Sequence, residues 1–284
     1  MKIARFEGGA GPQIGIVKDE KIVALSKLGI EVPGMIELIE AGPHLLRKIA
    51  ENLDHCDAEA GQPLSAVRLL APLRPRKFLG LGMNYKRHAD EARRLGVTVP
   101  DNQLWFNKQT SCINDPFGDL KPGVTEKLDY EVELGVVIGT SAKSVKAADA
   151  YSHVFGYIVV NDVSARDWQF HTTTITMGKS FDTHGPIGPW IVTADEIEDP
   201  EALGIRCLVN GEKRQDSNTG DFIHSIAAQI EYLSTAFTLE PGDILATGTP
   251  EGVGVAMQPP VFLQPGDIVR CEIDRIGAIE NRVA

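Results

Sequence analysis

The sequence lacks the long apolar segments that characterise membrane and secreted proteins. It contains no run of about 18 apolar residues, so no transmembrane helix is predicted. Residues 1–7 lack the apolar stretch of a secretion signal and have the pattern of an edge strand instead. These absences predict a cytoplasmic protein with no membrane partner.

Positive charge is also scarce. The chain has 28 Lys and Arg residues against 39 Asp and Glu residues, which gives a formal net charge of −11. Proteins that bind nucleic acids need a basic stripe, so this balance argues against a nucleic-acid partner. It leaves room for a small anionic substrate, because a few local cations or a metal ion can dominate the field of one site.

Paired cysteines are missing as well. The four cysteines, which include no Cys-x-x-Cys pair, are Cys56, Cys112, Cys207 and Cys271. Their wide separation indicates buried free thiols in a reducing compartment. Neither a disulfide framework nor a zinc site is predicted.

Short strands and turn signals dominate the rest of the chain. Residues 1–70 combine a predicted hairpin with a helical stretch and predict a small N-terminal α+β domain. A proline-punctuated segment at residues 71–76 marks the start of a larger domain, residues 71–284. Pro-Gly-Asp turns at residues 241–243 and 265–267 each precede an apolar strand. The pattern predicts a mixed α+β, β-rich fold of the roll or barrel type, with a clear amphipathic helix at residues 224–237.

Carboxylates cluster at the ends of two apolar strands. Residues 128–139 predict a strand in which Asp129, Glu131 and Glu133 share one face. Asp162 ends a second apolar strand. Crowded carboxylates at the edge of a core repel one another, and a cation would relieve that repulsion. A solvated polar strand face is the alternative interpretation.

A hard divalent cation suits these acids. Three oxygen ligands with no neighbouring Cys or His cluster favour Mg²⁺ or Mn²⁺, with Ca²⁺ also possible, over zinc. The proposed ligands are Glu131, Glu133 and Asp162. Three protein ligands would leave open positions for water and a chelating substrate.

A histidine and a glutamate form a second candidate group. His88 and Glu91 are three residues apart, so a helix would place them on one face within contact. A carboxylate beside an imidazole orients it and raises its basicity, which suits a general base. The alternative is a charged, solvated helix.

Several motifs, in order along residues 72–284, resemble the fumarylacetoacetate hydrolase family. The motifs are residues 84–91 (Asn-Tyr-Lys-Arg-His-Ala-Asp-Glu), 131–133 (Glu-Val-Glu), 161–169 (Asn-Asp-Val-Ser-Ala-Arg-Asp-Trp-Gln), 178–182 (Gly-Lys-Ser-Phe-Asp) and 247–254 (Thr-Gly-Thr-Pro-Glu-Gly-Val-Gly). The resemblance is strongest to short bacterial members and to the fumarylacetoacetate hydrolase domain-containing proteins. It implies a β-sandwich roll, a homodimer, and a Mg²⁺ or Mn²⁺ ion held by the three acids named above.

The resemblance also implies roles for individual residues. It matches His88 and Glu91 to a catalytic dyad on a mobile lid. It supports Lys179 as a catalytic cation. It supports Arg166 and Gln169 either as substrate-binding groups or as groups that hold the residues of the site in place. Thr249 lies in a glycine-rich loop whose backbone N–H groups could hold a substrate carboxylate.

Together with the candidate metal site, the resemblance implies a metal-dependent hydrolase that cleaves a carbon–carbon bond in an acylpyruvate-type 2-oxo acid through a metal-stabilised enolate. Three activities would share that enolate and stay open: decarboxylation of oxaloacetate, its tautomerisation, and isomerisation of dienoic diacids. An alternative of another class is a non-catalytic, Ca²⁺-binding structural module. Such a module would need neither the His88–Glu91 pair nor Lys179.

Overall fold

A computed structural model describes residues 1–9, 11–56, 61–94 and 96–284 of the chain. In chain order, the strands described are β1 (Lys2–Gly8), β2 (Gly11–Lys18), β3 (Lys21–Ala24), β4 (Gln62–Pro63), β5 (Leu69–Leu70), β6 (Phe78–Gly82), β7 (Leu104–Lys108), β8 (Ile113–Asn114), β9 (Leu128–Asp129), β10 (Val132–Ile138), β11 (Val154–Asn161), β12 (Ser164–Ala165), β13 (Gly185–Thr193), β14 (Gly204–Val209), β15 (Glu212–Asn218), β16 (Ile244–Ala246), β17 (Ile268–Ile273) and β18 (Gly277–Arg282).

Helices are few and short. The α-helices described are α1 (Met35–Glu40), α2 (Gly42–Asp54), α3 (Lys86–Arg94), α4 (Arg166–Gln169) and α5 (Ile226–Ala236). The 3₁₀ helices described are Leu25–Leu28, Leu64–Ala66, Thr110–Cys112, Ala147–His153, Thr176–Lys179, Ala194–Glu196, Thr219–Asp221 and Gly254–Ala256. Within the described ranges, no helix combines the length and apolarity that crossing a membrane requires.

A large mixed sheet forms the centre of the molecule. Its strands run in the order β4-β3-β2-β1-β13-β11-β10-β16-β6-β7, with β5 beside β1 and β8 beside β13. A four-stranded antiparallel sheet, β15-β14-β17-β18, contacts β10, β11 and β13. One hydrophobic core fills the space between the two sheets and extends to α5, and a second lies between the large sheet and α1 and α2. The predicted β-rich α+β class with two packed sheets is confirmed.

The N-terminal segment is joined to the large sheet. The predicted hairpin forms as β2 and β3, and its turn residues, Asp19 and Glu20, have φ values of 49° and 62°. The prediction of an edge strand at residues 1–7 is wrong, because β1 pairs with β2 on one side and with β13 and β5 on the other. Side chains from both of its faces are buried, which an edge position would not provide. The division at residues 70 and 71 stays a prediction.

Turn chemistry and helix capping place several elements as the sequence predicts. Gly242 and Gly266 have φ values of 83° and 97°, so each Pro-Gly-Asp turn uses glycine where other residues would be strained. The strands β16 and β17 follow these turns. The helix predicted at residues 224–237 forms as α5, and the Ser225 side chain caps it by accepting from the backbone N–H of Ala228.

All four cysteines are free thiols, as predicted, although Cys56 is only half-buried. Their spacing along the chain predicts no pair among them. Nevertheless Cys207 and Cys271 face each other on β14 and β17, with 3.9 Å between their sulfur atoms. Burial raises the pKa of the Cys207 thiol well above its usual value, so this thiol stays protonated and is a poor nucleophile.

Candidate active site

The pairing of β10 with β11 brings the predicted acids together. Val132 is opposite Asn161 in this antiparallel pair, so the residue before one strand lies beside the residue after the other. The backbone N–H of Asp162 donates to the Glu131 carbonyl oxygen at 2.8 Å. Ligand oxygens of Glu131, Glu133 and Asp162 lie within 4.8 Å of one another, and each of these residues is buried.

The strand that carries the acids is interrupted. It was predicted to run unbroken from residue 128, but it divides into β9 and β10 with a gap at residues 130–131. Asp129 accordingly has other partners: its oxygens accept from the backbone N–H groups of Gly254 and Val255 at 2.8 and 2.9 Å and from Arg166 Nε at 2.9 Å. Asp129 thus anchors a loop, while Glu131, Glu133 and Asp162 form the acid trio.

Two buried lysines contact this trio. Lys179 Nζ donates to Glu131 Oε2 at 2.6 Å and to Asp162 Oδ2 at 2.7 Å. Lys108 Nζ donates to Asp162 Oδ1 at 2.6 Å and also to the main-chain carbonyl of Lys179. Burial disfavours the charge on Lys179, but Asp162 and Glu131 outweigh it and raise the pKa of Lys179 above its usual value. Lys179 is therefore a fixed cation rather than a base.

Arg166 is the third cation of the site. Its Nη2 lies 2.7 Å from Glu131 Oε1, and its Nη1 donates to Gln169 Oε1 at 3.0 Å. Burial would raise the pKa of Glu131, yet the charges of Lys179 and Arg166 hold that pKa well below its usual value. Glu131 is thus a carboxylate at neutral pH. Arg166 and Gln169 both line the cavity, and their role towards a substrate stays a prediction.

Glu133 differs from the other two acids. Its Oε2 accepts from the backbone N–H of Gly248 at 2.9 Å, and it forms no ion pair with any residue that the structure describes. Burial, followed by the charges of Asp162 and Glu131, raises its pKa well above the usual value. A buried carboxylate in that position needs a cation to ionise. The trio therefore fits a hard divalent ion, which Glu131, Glu133 and Asp162 would hold and whose charge would offset that of Glu133.

His88 and Glu91 meet on α3, as the spacing predicts. His88 Nδ1 donates to Glu91 Oε2 at 2.9 Å, and both side chains are slightly exposed, at 14% and 13%. The other oxygen of Glu91 accepts from the backbone N–H of Gly252 at 3.2 Å. With Nδ1 bonded to a carboxylate, the lone pair of the imidazole lies on Nε2.

The His88–Glu91 pair, Glu131 and Glu133 line a single cavity of about 440 Å³. Lys179, Arg166, Gln169 and Thr249 line it too. Asp162 does not line the cavity itself but contacts Lys179, so the structure brings together all nine site residues predicted from the sequence. The remaining wall is largely apolar and includes Leu81, Leu104, Phe106, Phe170, Ile175, Val253 and Val255. A polar floor with apolar walls is typical of small-molecule sites.

Two residues that contact the site, Lys108 and Gln215, are not predicted from the sequence. Lys108 ends β7, where strand alternation places it on the same buried face as Phe106, and that alternation was the available signal. Gln215 is buried, whereas the other residues of β15 are exposed or half-buried. It contacts Thr249 and the backbone of Val132. The Thr249 hydroxyl itself donates to the Val132 carbonyl oxygen, so the predicted substrate contact of Thr249 does not come from its side-chain donor.

The fold and the site define a β-rich α+β protein with a candidate metal centre inside an apolar cavity. Residues 77–284 match the family described as fumarylacetoacetate (FAA) hydrolase, C-terminal, and residues 1–72 match the family described as Rv2993c-like, N-terminal. The chain belongs to the fumarylacetoacetate hydrolase family.

Named relatives span several activities. The mitochondrial oxaloacetate tautomerase fahd2 of Xenopus laevis is 42% identical, over 100% of this chain and 90% of that protein. A fumarylacetoacetate hydrolase from Exiguobacterium antarcticum has a TM-score of 0.87 and 35% identity, covering 100% of this chain and 99% of that one. The maleylpyruvate hydrolase of Sphingobium sp. SYK-6, solved with manganese(II) and pyruvate, has a TM-score of 0.83 and 32% identity, with coverage of 100% and 99%.

Proposed function

We propose that this protein hydrolyses a carbon–carbon bond in an acylpyruvate-type 2-oxo acid, with Mg²⁺ or Mn²⁺ bound by Glu131, Glu133 and Asp162. The observation that carries the proposal is the placement of the His88–Glu91 pair with Glu131 and Glu133 on the wall of one cavity, where Asp162 completes the acid trio. A structural ion site would need no imidazole–carboxylate pair beside it. The presence of manganese(II) and pyruvate in the solved Sphingobium hydrolase supports both the metal and the substrate class.

The bound ion would act as a Lewis acid that polarises the 2-oxo acid. Ca²⁺ would fit the same oxygen ligands but belongs to the structural alternative. Lys179 and Arg166 fix the charge and position of Glu131, while Lys108 and Lys179 fix the position of Asp162. The acids are thus held in place for a divalent cation.

His88 would act as the general base. Its Nδ1–H donates to Glu91, which leaves Nε2 to take a proton from water in the cavity. The water oxygen attacks the carbonyl carbon of the acyl group, and the carbon–carbon bond to the pyruvate unit breaks. The electron pair of that bond goes to the pyruvate unit as its enolate, which takes up a proton to give pyruvate. The acyl group leaves as a carboxylic acid.

The other predicted residues would bind the substrate. Gln169 and Thr249 line the cavity, where backbone N–H groups of the Thr249 loop would donate to a substrate carboxylate. Lys179 is the candidate for stabilising negative charge on the substrate oxygen. The apolar wall provides room for an acyl substituent.

Oxaloacetate tautomerisation is the second candidate, and the full-length similarity to the Xenopus tautomerase favours it. In that reaction His88 would move a proton between carbon and oxygen, and no water would be consumed. Decarboxylation of oxaloacetate and dienoic diacid isomerisation would use the same enolate. The His88–Glu91 pair and Lys179 both argue against the purely structural Ca²⁺ module.

A substrate panel with Mg²⁺ or Mn²⁺ tests the proposal. The panel includes acylpyruvates, oxaloacetate, sugar-derived diketo acids and dienoic diacids. We expect acylpyruvate cleavage in H₂¹⁸O to place one heavy oxygen in the released carboxylic acid. Turnover of oxaloacetate without cleavage of any acylpyruvate would replace the hydrolase with the tautomerase. No turnover of any member, with metal binding retained, would support the structural module.

Two further predictions remain with the proposal. The family resemblance predicts a homodimer, which sedimentation of the purified chain at several concentrations will test.

The predicted two-domain division is tested by expressing residues 71–284 alone. Because β1 pairs with β13, we expect that fragment to be less stable than the full chain.

A further inference from the structure

A closed ring of buried hydrogen bonds includes the backbone of Val132, the residue between the two glutamates of the proposed metal site. The backbone N–H of Val132 donates to Gln215 Oε1 at 3.0 Å, and Gln215 Nε2 donates to Thr249 Oγ1 at 2.8 Å. Thr249 Oγ1 in turn donates to the Val132 carbonyl oxygen at 2.9 Å. The second N–H of the Gln215 amide donates to the Pro250 carbonyl oxygen at 2.8 Å. The amide of Gln215 and the hydroxyl of Thr249 are thus fully used inside the protein.

The ring replaces a strand that has ended. β16 pairs with β10 at residues 135–137 and stops at Ala246, so none of the described strands continues along that edge of β10 as far as Val132. Buried backbone N–H and C=O groups require partners. Gln215 and Thr249 supply them at the position that separates Glu131 from Glu133.

A β-bulge aims Gln215 at this position. In the pairing of β14 with β15, Cys207 is opposite Gln215 while Leu208 is opposite Lys213, so Arg214 is an extra residue. Bulges often re-aim a side chain beside a functional site. Gln215 is fully buried, although its neighbours along β15 are exposed or half-buried.

The loop at residues 247–254, which contains Thr249, contacts both the acid trio and the His88–Glu91 pair. The backbone N–H of Gly248 donates to Glu133, and that of Gly252 donates to Glu91. Gly252 has a φ of 99°, and a Cβ there would lie 2.1 Å from the Arg214 carbonyl oxygen. The loop therefore lies directly on the bulge, and Gln215 fixes it in place.

We propose that Gln215, acting through Thr249, is a positioning residue that sets the orientation of Glu131 and Glu133 towards a divalent ion. This inference rests on the proposed metal site. Groups that orient metal ligands without touching the metal typically change metal affinity about 10–100-fold when removed. Both residues of the pair are neutral, so their replacement leaves the charge of the site unchanged.

Calorimetric titration of the full chain with Mn²⁺ alone tests the proposal. We expect Gln215→Met and Thr249→Val to weaken Mn²⁺ binding about 10–100-fold, while Thr249→Ser, which keeps the hydroxyl, stays close to wild type. The double variant should lose little more than the worse single variant, because either change opens the ring.

Asn281→Leu is the matched control. Asn281 is a fully buried amide on the same four-stranded sheet, and it donates to the Gly118 carbonyl oxygen and not to the site. Its loss should lower the melting temperature and leave the Mn²⁺ dissociation constant unchanged.

The outcomes separate the two proposals. If wild type does not bind Mn²⁺, the proposed function fails at its metal site. If wild type binds and Gln215→Met binds equally well, the positioning role is wrong. If Thr249→Val raises KM for a substrate but leaves Mn²⁺ affinity unchanged, Thr249 is a substrate contact and the ring does not set the metal site. Should Gln215→Met fail to fold, the Thr249→Val and Thr249→Ser pair decides alone.

Discussion

The floor and the rim of the cavity are built differently. The floor consists of the acid trio with Lys108 and Lys179, all of them buried, and its ion pairs measure 2.6 to 2.7 Å. The rim consists of His88 and Glu91, which are partly exposed and have one loop contact at Gly252. Several buried contacts fix the floor, whereas one helix and one backbone contact place the rim. Changes in the floor should therefore affect both stability and metal binding, and changes in the rim should affect only the chemistry.

The largest effect is expected for Asp162→Ala in the floor. The change removes a partner from both Lys108 and Lys179, and breaking a buried ion pair costs about 3–5 kcal/mol of unfolding free energy. Activity should be abolished, and added Mn²⁺ should no longer raise the melting temperature. Urea unfolding with and without Mn²⁺ measures the loss of unfolding free energy and the loss of stabilisation by Mn²⁺. A kinetic assay measures the loss of activity.

Asp243→Ala provides the matched control for that variant. Asp243 is equally buried and paired with Lys77, but it lies in a Pro-Gly-Asp turn away from the cavity. Its variant should lose stability and still be stabilised by Mn²⁺. Retention of the Mn²⁺ effect in Asp162→Ala would contradict the assignment of the trio.

At the rim, His88→Ala should reduce acylpyruvate hydrolysis about 10²–10⁴-fold, the usual contribution of a general base. Melting temperature and Mn²⁺ affinity should stay at wild-type values, because the side chain is partly exposed and contacts no acid of the trio in the described structure. Kinetics, calorimetry and thermal unfolding of one preparation give the three readouts.

His153→Ala is the control, since that imidazole contacts Thr140 instead of the cavity. Metal-assisted decarboxylation should fall much less than hydrolysis in His88→Ala. Equal loss of both activities would argue against water activation by His88.

A smaller change is expected for Lys108→Met. Asp162 keeps Lys179 as its partner, so the loss should be about 1–3 kcal/mol of unfolding free energy for one unsatisfied buried oxygen. Because Lys108 also holds the Lys179 carbonyl, activity should fall as well. Lys77→Met, which breaks the contact of a partly exposed lysine with Asp243, should lower stability and spare activity. Unchanged activity in Lys108→Met would restrict Lys108 to a folding role.

The smallest effect concerns His184, beneath the floor. Burial, followed by the charge of Lys108, lowers the pKa of His184 to about 4. An unfolded histidine titrates near 6.5, so the unfolded state binds the proton first and stability falls as pH drops from about 6.5 towards 4. The expected contribution is about 1 kcal/mol at pH 6.

His184→Gln should flatten the stability curve between pH 7 and pH 6 relative to wild type. Its amide N–H can replace the donation of His184 Nε2 to the Lys121 carbonyl oxygen. Identical slopes for the two proteins would show that this imidazole is hydrated and that the region below the floor is not dry.

Local sequence signals predicted much of this architecture. The β2–β3 hairpin, α3, α5 and both Pro-Gly-Asp turns depend on residues close in sequence, and each forms where predicted. The trio was predictable because each acid lies at the end of an apolar strand. The two errors, the edge position of β1 and the unbroken strand at residues 128–139, concern how strands pair, which neighbouring residues do not determine.

The missed residues have the same explanation. Lys108 and Gln215 look like ordinary polar residues of exposed strands, and only tertiary packing buries them. For Gln215 the cause is the bulge at Arg214, and for Lys108 it is the neighbouring Asp162. The alternation of β7, which puts Lys108 on the same face as Phe106, was the available signal for Lys108, and no period or motif in the sequence reports the bulge that buries Gln215.

The sequence by itself determined the chemical groups of this protein: three acids, a histidine–glutamate pair and a lysine, in motifs specific enough to define the family. The tertiary structure decided which charges neutralise which. Asp129, from the same predicted strand face, anchors Arg166 and a loop, while Glu133 is left without a cation among the described residues. Burial and partner distance set that outcome, because a carboxylate in a dry interior is governed by the nearest few charges and hydrogen bonds.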